Sequence, residues 1–245
     1  MSPSQGGEPG GEVALAAGLA ALEGELERRF RTARTRVALG AREVELLHPA
    51  NYDDLITEED FVRDERLPYW ADLWPSAIAL ARWLAAGEGA AARLRPGARA
   101  LELGCGMGLV STVLALGGAR VLATDYYDDA LLFARLNGGR NAGAAIETRN
   151  VDWRDFPTDL GRFDLVVASD VLYERPYAAL LAHALRLTLD GGGVGLIADP
   201  GRIAVESFVD ECRARGLRVE VAERLPYESG TIRQTITVYE LTRAR

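Results

Sequence analysis

The sequence predicts an α/β protein built on a doubly wound, mostly parallel sheet, with a hairpin at its C-terminal end and a helical extension at its N-terminal end. Three observations indicate this fold. Apolar runs of strand length alternate with helical patterns from Pro75 onward. One of these runs passes directly into a glycine-rich turn at residues 104–108, as in a strand–turn–helix unit. Two extended runs joined by a turn then close the chain, which is a hairpin signal.

The segment ahead of the sheet predicts a lead, a helix and a hairpin. Residues 1–11 are rich in Gly, Pro and Ser and predict a disordered lead. Residues 12–35 carry apolar side chains at helical spacing, which favours a helix packed on the body of the protein over a membrane or partner helix. Shorter elements follow: an extended run at residues 36–39, another at 43–47 with Gly40 between them, and a short helix near 58–66. We assign residues 12–66 to an N-terminal helical extension.

The remaining elements alternate regularly. Helices are predicted at residues 76–85, 108–116, 128–140, 176–188 and 203–215. Strands are predicted at residues 98–103, 119–125, 145–151, 163–169 and 192–199. Because helices separate these five strands, the strands are expected to run parallel with helices on both faces of the sheet. The terminal hairpin is predicted from residues 217–224 and 231–239, joined by residues 226–230.

Composition excludes several classes of protein. Lys and Arg number 28 against 36 acids, and a net charge of −8 argues against a surface that tracks nucleic-acid phosphates. Cys105 and Cys212 are too few for a disulfide framework or a cysteine-based zinc site. No apolar run reaches the ~18 residues of a membrane span, and the start of the chain lacks a secretory signal. We therefore expect a soluble, cytoplasmic protein that binds neither nucleic acid nor membrane and holds no metal.

Residues 102–108, Glu-Leu-Gly-Cys-Gly-Met-Gly, predict a nucleoside site. An apolar run precedes Glu102, and glycines then alternate at positions 104, 106 and 108. Glycines allow backbone N–H groups to approach a ligand closely, because no Cβ stands in the way. The next apolar run ends at Asp125, an acid placed to accept hydrogen bonds from two ribose hydroxyls. An ordinary tight turn between strand and helix is the alternative.

The spacing of the glycines separates two kinds of nucleoside. The dinucleotide fingerprint is Gly-x-Gly-x-x-Gly, whereas here the third glycine comes one residue early and Leu109 takes its place. No Gly-x-x-x-x-Gly-Lys-Ser/Thr sequence is present, which excludes a P-loop. The motif instead resembles motif I of the class I S-adenosylmethionine-dependent methyltransferases. That resemblance implies a Rossmann-like, seven-stranded, mostly parallel sheet with an antiparallel C-terminal hairpin.

Later strand ends carry further candidate residues, because ligands of open α/β sheets bind at the carboxyl ends of strands. After the third strand, Asp152 can accept a hydrogen bond from an adenine amino group and Trp153 can cover the ring; a half-buried loop aromatic is the alternative for Trp153. After the fourth strand come Ser169, Asp170 and Tyr173. The carboxylate of Asp170 can hold an incoming amine and the Tyr173 phenol can orient it. Alternatively, Asp170 caps the following turn, and Tyr173 packs in the lining of the cavity without a chemical role.

An aromatic segment precedes the first helix of the alternating part. Trp70 and Trp74 lie four residues apart, and Pro75 suits the first turn of a helix. The two indoles can line the methionine end of the cofactor. A hydrophobic cover on the sheet edge is the alternative.

Taken together, these motifs resemble one family. Trp-x-x-x-Trp-Pro at 70–75, the glycine motif, the acid–Trp pair at 152–153 and Ala-Ser-Asp-Val-Leu-Tyr at 168–173 are similar to the seven-strand protein-lysine methyltransferases of methyltransferase family 16. Asp-Pro-Gly-Arg at 199–202 and Ser-Gly-Thr at 229–231 are similar to its branch that methylates the beta subunit of electron transfer flavoprotein. The resemblance covers residues 67–240 and implies a methyltransferase domain at 67–245.

The resemblance also implies roles for individual residues. It implies that the cofactor, S-adenosyl-L-methionine, is bound by Trp74, Glu102, Gly104, Gly106, Gly108, Asp125, Tyr126, Asp152, Trp153 and Ser169. Asp170 and Tyr173 would face the acceptor nitrogen as the catalytic pair. We therefore expect an N-methyltransferase acting on a lysine side chain of a protein substrate. A small-molecule N-methyltransferase on the same fold and a cofactor-binding protein without catalysis are the alternatives.

Overall fold

The computed structural model describes residues 9–51, 55, 68–89 and 95–244. Its helices are α1 (Pro9–Arg29), α2 (Pro75–Ala85), α3 (Leu109–Leu116), α4 (Asp128–Ala142), α5 (Tyr177–Thr188) and α6 (Val205–Ala214). Its strands are β1 (Thr32–Leu39), β2 (Arg42–Pro49), β3 (Arg99–Leu103), β4 (Arg120–Asp125), β5 (Glu147–Asn150), β6 (Phe163–Ser169), β7 (Leu189–Asp199), β8 (Leu217–Ser229) and β9 (Ile232–Arg243). The predicted alternation of strands and helices is confirmed.

Seven of the strands form one sheet in the order β5-β4-β3-β6-β7-β9-β8. Strands β3 to β7 pair in parallel, whereas β9 pairs antiparallel with both β7 and β8. The predicted mostly parallel sheet with an antiparallel C-terminal hairpin is therefore confirmed. The strand order reverses at β3, since the chain next adds β4 and β5 on one side and β6 and β7 on the other. Such a switch point opens a crevice at the carboxyl ends of the strands.

Both faces of the sheet are covered. Buried side chains of α2, α3 and α4 pack on one face together with the β1–β2 hairpin. Buried side chains of α5 and α6 pack on the other face. A third cluster joins Leu26 of α1 and Leu47 of β2 to Phe133 and Leu136 of α4. The amino-terminal helix therefore packs on the body of the protein, as its apolar face predicts.

A buried amide ties this amino-terminal part to the glycine-rich turn. Asn137 of α4 accepts a hydrogen bond from the backbone N–H of Leu47 at 2.8 Å and donates to the carbonyls of Leu47 and Met107 at 3.0 and 2.9 Å. Asn137 is 1% exposed, so these partners satisfy a polar group that would be costly to bury alone. The turn at residues 104–108 is thus supported from behind by the β1–β2 hairpin.

Several predicted boundaries are wrong. Helix α1 ends at Arg29 and not at residue 35, because Thr32 already pairs with Pro49 in the β1–β2 hairpin. At the other end of the chain, residues 226–229 belong to β8, where Pro226 pairs with Thr235. The terminal hairpin therefore turns at residues 230–231.

Two predictions involve residues that the structure does not describe. Residues 9–11, assigned to the disordered lead, are helical, while residues 1–8 of that lead lie outside the described part. The predicted short helix near residues 58–66 also lies outside it.

In the described part of the chain, every helix is too short or too polar to cross a membrane.

Candidate functional site

A cavity of about 220 Å³ opens at the carboxyl ends of the parallel strands. Among the predicted site residues, those that line it are Trp74, Glu102, Gly104, Gly106, Asp125, Tyr126, Asp152, Trp153, Ser169, Asp170 and Tyr173. They come from the ends of β3, β4, β5 and β6 and from the segment before α2. The fold thus brings residues from five separate stretches of sequence to one cavity. Gly108 is the predicted site residue that does not line it.

Gly104 and Gly106 form the floor of the cavity where β3 ends. Both have left-handed backbone conformations, with φ of 72° and 51°. A Cβ on Gly106 would lie 3.0 Å from the carbonyl oxygen of Trp70, and one on Gly104 would lie 3.0 Å from a methyl group of Val171. Glycine is therefore needed at both positions for backbone conformation and for space.

Gly108, the third glycine of the motif, lies against helix α4. It precedes α3 with a φ of 79°, and a Cβ there would lie 2.7 Å from the Cα and Cβ of Ala134 in α4. The third glycine therefore allows α3 and α4 to pack closely. The predicted contact of Gly108 with the cofactor stays a prediction.

Asp125 organises the turn above this floor. Its Oδ2 accepts a hydrogen bond from the backbone N–H of Gly106 at 2.9 Å, and its Oδ1 accepts one from Tyr127 at 3.1 Å. Burial raises the pKa of this carboxyl, while the backbone hydrogen bonds oppose that shift. Each carboxylate oxygen can accept more than one hydrogen bond. Asp125 therefore retains acceptor capacity toward a ligand in the cavity.

Glu102 lies deeper, where β3 meets α3. Its Oε2 accepts hydrogen bonds from both the backbone N–H and the hydroxyl of Ser111. Burial raises the pKa of Glu102 to about 8, with the hydrogen bonds from Ser111 acting in the opposite direction and the charge of Asp125 adding to the rise. Although it lines the cavity, this side chain is anchored to the first turn of α3.

Asp152 and Trp153 meet the cavity after β5 and start a short 3-10 turn. Asp152 accepts a hydrogen bond from the backbone N–H of Arg154 at 2.9 Å, and its carboxylate also pairs with the Arg154 guanidinium at 2.7 Å. That guanidinium lies 5.4 Å from the centre of the Tyr126 ring. The Arg154 guanidinium therefore contacts both the Asp152 carboxylate and the Tyr126 ring.

Asp170 is held by two side chains from other parts of the chain. Its Oδ2 accepts a hydrogen bond from the Ser76 hydroxyl at 2.9 Å, and its Oδ1 accepts one from Nε of Arg202 at 2.7 Å. These partners belong to α2 and to the loop after β7, so they differ from the turn cap considered as the alternative. Asp170 also has a φ of 58°, the one positive φ outside glycine in the described residues. Backbone strain of this kind concentrates at functional sites.

Aromatic rings form a continuous wall beside Asp170. Edge-to-face contacts link Trp74 to Tyr69 at 5.9 Å, Tyr69 to Tyr173 at 5.4 Å, Tyr173 to Tyr177 at 5.1 Å and Tyr177 to Trp153 at 5.8 Å between ring centres. Burial raises the pKa of Tyr173 well above its usual value, with the neighbouring Tyr177 adding to the rise. The Tyr173 phenol therefore stays protonated at neutral pH.

Some cavity and network residues escaped the sequence interpretation. Tyr69, Tyr177 and Arg154 line the cavity, while Ser76 and Arg202 hold Asp170. The Asp-Pro-Gly-Arg sequence at 199–202 was a signal for Arg202, since it follows a strand end, but it assigned no partner to the arginine. Ser76 carries no such signal because its partner is far away in sequence.

Comparisons with known proteins agree with this architecture. The sequence profile of a family described as lysine methyltransferase matches residues 57–206. The electron transfer flavoprotein beta subunit lysine methyltransferase of Xenopus laevis is 34% identical over 148 residues, which cover 57% of this chain and 55% of the relative. Protein-lysine methyltransferase METTL21E of Mus musculus is 34% identical over 119 residues, covering 44% of this chain and 47% of the relative. The chain thus spans about half the length of these curated relatives.

Solved structures show the same fold. The magnesium protoporphyrin IX methyltransferase of Synechocystis, solved with bound S-adenosylmethionine, aligns with a TM-score of 0.54 at 17% identity and covers 76% of this chain and 93% of its own. This likeness supports the class I methyltransferase fold.

Proposed function

The chain belongs to the lysine methyltransferase family, and on that premise we propose that it transfers a methyl group from S-adenosylmethionine to the ε-amine of a lysine in a protein. The observation that supports this function most is the shared cavity. One part of it is a glycine floor flanked by acids, and the other holds Asp170 and Tyr173 beside an aromatic wall. A cofactor part and an acceptor part therefore meet in one cavity.

The residues present fit an adenosyl cofactor. Gly104 and Gly106 keep this part of the cavity lining free of side chains, so the backbone itself can lie close to a ligand. We assign the ribose to Asp125, whose oxygens retain acceptor capacity, and the adenine to Asp152 and Trp153. Trp74 is assigned to the methionine part. When bound, S-adenosylmethionine supplies an electrophilic methyl group on a sulfonium.

The acceptor part positions a nucleophilic nitrogen. Asp170 and Tyr173 offer a carboxylate and a protonated phenol to a lysine amine, and aromatic rings line the cavity around them. A lysine loses its proton more easily once it is desolvated, so the cavity itself favours the neutral, nucleophilic form. The protein contributes alignment of the amine and exclusion of water, which account for large rate effects in such transfers.

The rest of the chain supports a simple organisation. We propose residues 67–245 as the catalytic domain and residues 12–66 as an extension to it. Strand β2 of that extension supports the domain, because Asn137 connects Leu47 to the carbonyl of Met107 in the glycine-rich turn. Cys105 and Cys212 are both buried free thiols, which suits a reducing compartment such as the cytoplasm.

The proposal is tested with S-adenosylmethionine labelled in its methyl group. The purified protein is incubated with recombinant electron transfer flavoprotein beta subunit, the substrate named for a relative, and in parallel with a cell lysate. We expect label on a protein, located on lysine by mass spectrometry, and loss of that label when the modified lysine is changed to arginine. Label confined to small molecules would instead indicate a small-molecule N-methyltransferase. Cofactor binding without any label would indicate a binding protein.

A further inference from the structure

The loop after β7 is shaped so that it delivers Arg202 to Asp170. Asp199, the last residue of β7, accepts hydrogen bonds through Oδ1 from the backbone N–H groups of Gly201 at 2.7 Å and Arg202 at 2.6 Å. Gly201 has a φ of 95°, which lets the loop turn back toward the cavity. The Arg202 Nε then donates to Asp170 Oδ1 at 2.7 Å. The loop therefore fixes the backbone that carries the arginine.

Arg202 also contacts the other side of the cavity. Its guanidinium carbon lies 5.4 Å from the centre of the Trp74 ring, in a cation–π arrangement. Asp170, the partner of Arg202, is in turn bonded to Ser76 two residues after Trp74. Arg202 thus links the loop after β7 with the end of β6 and with the start of α2.

Asp170 and Arg202 are buried to different extents, which decides how much the charge of Asp170 depends on Arg202. The Asp170 side chain is 2% exposed, whereas that of Arg202 is 36% exposed. A buried carboxylate without a compensating cation would carry a large desolvation penalty. Arg202 supplies that compensation, so an amine entering the cavity meets a neutralised pair and not a bare negative charge.

We propose that Arg202 is a positioning residue that holds Asp170 and offsets its charge, so that the acceptor lysine reacts as a neutral amine. This inference rests on the proposed function. Without the arginine, an uncompensated Asp170 would stabilise the lysine as an ammonium, which has no lone pair to donate. In the transfer itself, the amine lone pair forms the new N–C bond as the methyl carbon separates from sulfur, which keeps the electron pair of the broken bond. The proton of the ammonium leaves to water beforehand.

Other ionisable groups near Asp170 do not replace this charge. Asp199 interacts electrostatically with Asp170, and Tyr173 follows Asp170 by three residues; burial raises the pKa of both Asp199 and Tyr173, and neither can supply a cation. Helix α2 contributes only the neutral Ser76 hydroxyl at this point. Asp125 from β4 and Glu174 from the loop after β6 raise the pKa of Tyr173 through their negative charges, and as acids they cannot compensate Asp170. In the described part of the chain, Arg202 is therefore the cation that faces Asp170.

The test compares Arg202→Gln, which removes the charge, with Arg202→Lys, which keeps it. The pH dependence of kcat is measured with the methyl-accepting protein. For Arg202→Gln we expect the acidic limb of the kcat–pH profile to shift to higher pH by about one unit or more, so that turnover recovers at high pH. KM at neutral pH should stay the same or fall, because the ammonium can now pair with Asp170. Arg202→Lys should keep the limb close to that of the wild type.

Two binding measurements accompany the kinetics. Calorimetry with S-adenosylhomocysteine should give the same affinity for all three proteins to within about threefold. Calorimetry with the acceptor protein, in the presence of that unreactive product, should show Arg202→Gln binding at neutral pH at least as tightly as wild type. An equal loss of turnover at every pH would overturn the inference, as would a lysine variant that behaves like the glutamine variant. If the wild type labels no protein at any pH, the proposed function itself fails, and the inference fails with it.

Discussion

Glu102 and Ser111 are joined by two hydrogen bonds at the base of the cavity, one from the Ser111 backbone N–H at 2.8 Å and one from its hydroxyl. These bonds connect the end of β3 to the first turn of α3. Glu102 is 2% exposed, and burial raises its pKa to about 8. The acid that precedes the glycine floor is therefore mostly uncharged at neutral pH.

We predict that this carboxyl makes stability depend on pH. A group whose pKa is higher in the folded protein stabilises it fully below the unfolded value, here near 4.5, and loses that effect as pH rises toward about 8. Between these values the free energy of unfolding of the wild type should fall relative to that of Glu102→Gln by on the order of 4 kcal/mol. Urea unfolding of both proteins across this range measures it. Parallel pH profiles would show that Glu102 ionises normally.

Gly108→Ala should destabilise the protein because both the backbone conformation and the space forbid a side chain. Its Cβ would lie 2.7 Å from two atoms of Ala134. Gly143→Ala is the matched control, since Gly143 has a φ of 63° but no heavy atom within 4 Å of an added Cβ. We expect the free energy of unfolding to fall by about 1 kcal/mol in Gly143→Ala, which is the conformational cost alone, and by about 3 kcal/mol in Gly108→Ala. Equal losses in urea unfolding would mean that α3 and α4 adjust freely.

Asp125→Ala should weaken cofactor binding. The substitution removes the proposed ribose acceptor and also the bonds to Gly106 and Tyr127 that shape the floor. We expect a loss of ~1–3 kcal/mol in the binding of S-adenosylmethionine by calorimetry, and no binding of NAD by either protein. Asp210→Ala removes an exposed acid on α6 and serves as the control. Tight NAD binding, or an unchanged affinity in Asp125→Ala, would refute the assignment.

Trp153→Ala should also weaken cofactor binding, because we assign its ring to cover adenine. A lost aromatic contact of this kind is worth about 1 kcal/mol, and Trp153→Phe should recover part of it. The measurement is calorimetry, followed by a crystal structure with S-adenosylhomocysteine. Side chains of Asp152 and Trp153 turned away from the adenine in that structure would leave Trp153 as a loop aromatic and Asp152 as the partner of Arg154.

The sequence predicted the fold well because each strand and helix of the alternating part has its own local signal. The boundaries at the two ends failed for a different reason. Residues 32–35 leave the helical pattern only because β2 is there to pair with them. Pro226 is a turn residue by composition, yet it lies in β8, an edge strand where a missing N–H is tolerated. Tertiary partners, which are not visible locally, decided both cases.

The candidate site likewise combines features that the sequence predicts with contacts that depend on tertiary partners. The strand-end rule placed Asp125, Asp152 and Asp170 at one cavity, since it follows from the topology alone. What each carboxylate touches could not be predicted, because the partners of Asp170 are 94 and 32 residues away in sequence.

The assignment of Asp170 and Tyr173 to the acceptor nitrogen predicts how substitutions of these two residues change turnover. Asp170→Asn keeps the size of the side chain and a residue type that tolerates a positive φ, but it removes the charge that pairs with Arg202. We expect turnover to fall severely while cofactor affinity stays within about threefold, or ~0.7 kcal/mol. A loss that is wholly explained by weaker cofactor binding would move Asp170 to the cofactor part of the cavity. Tyr173→Phe refines the test, because it removes one hydroxyl and keeps the ring contacts with Tyr69 and Tyr177. If Tyr173→Phe turns over like the wild type, the Tyr173 ring only lines the cavity, and Asp170 alone orients the amine.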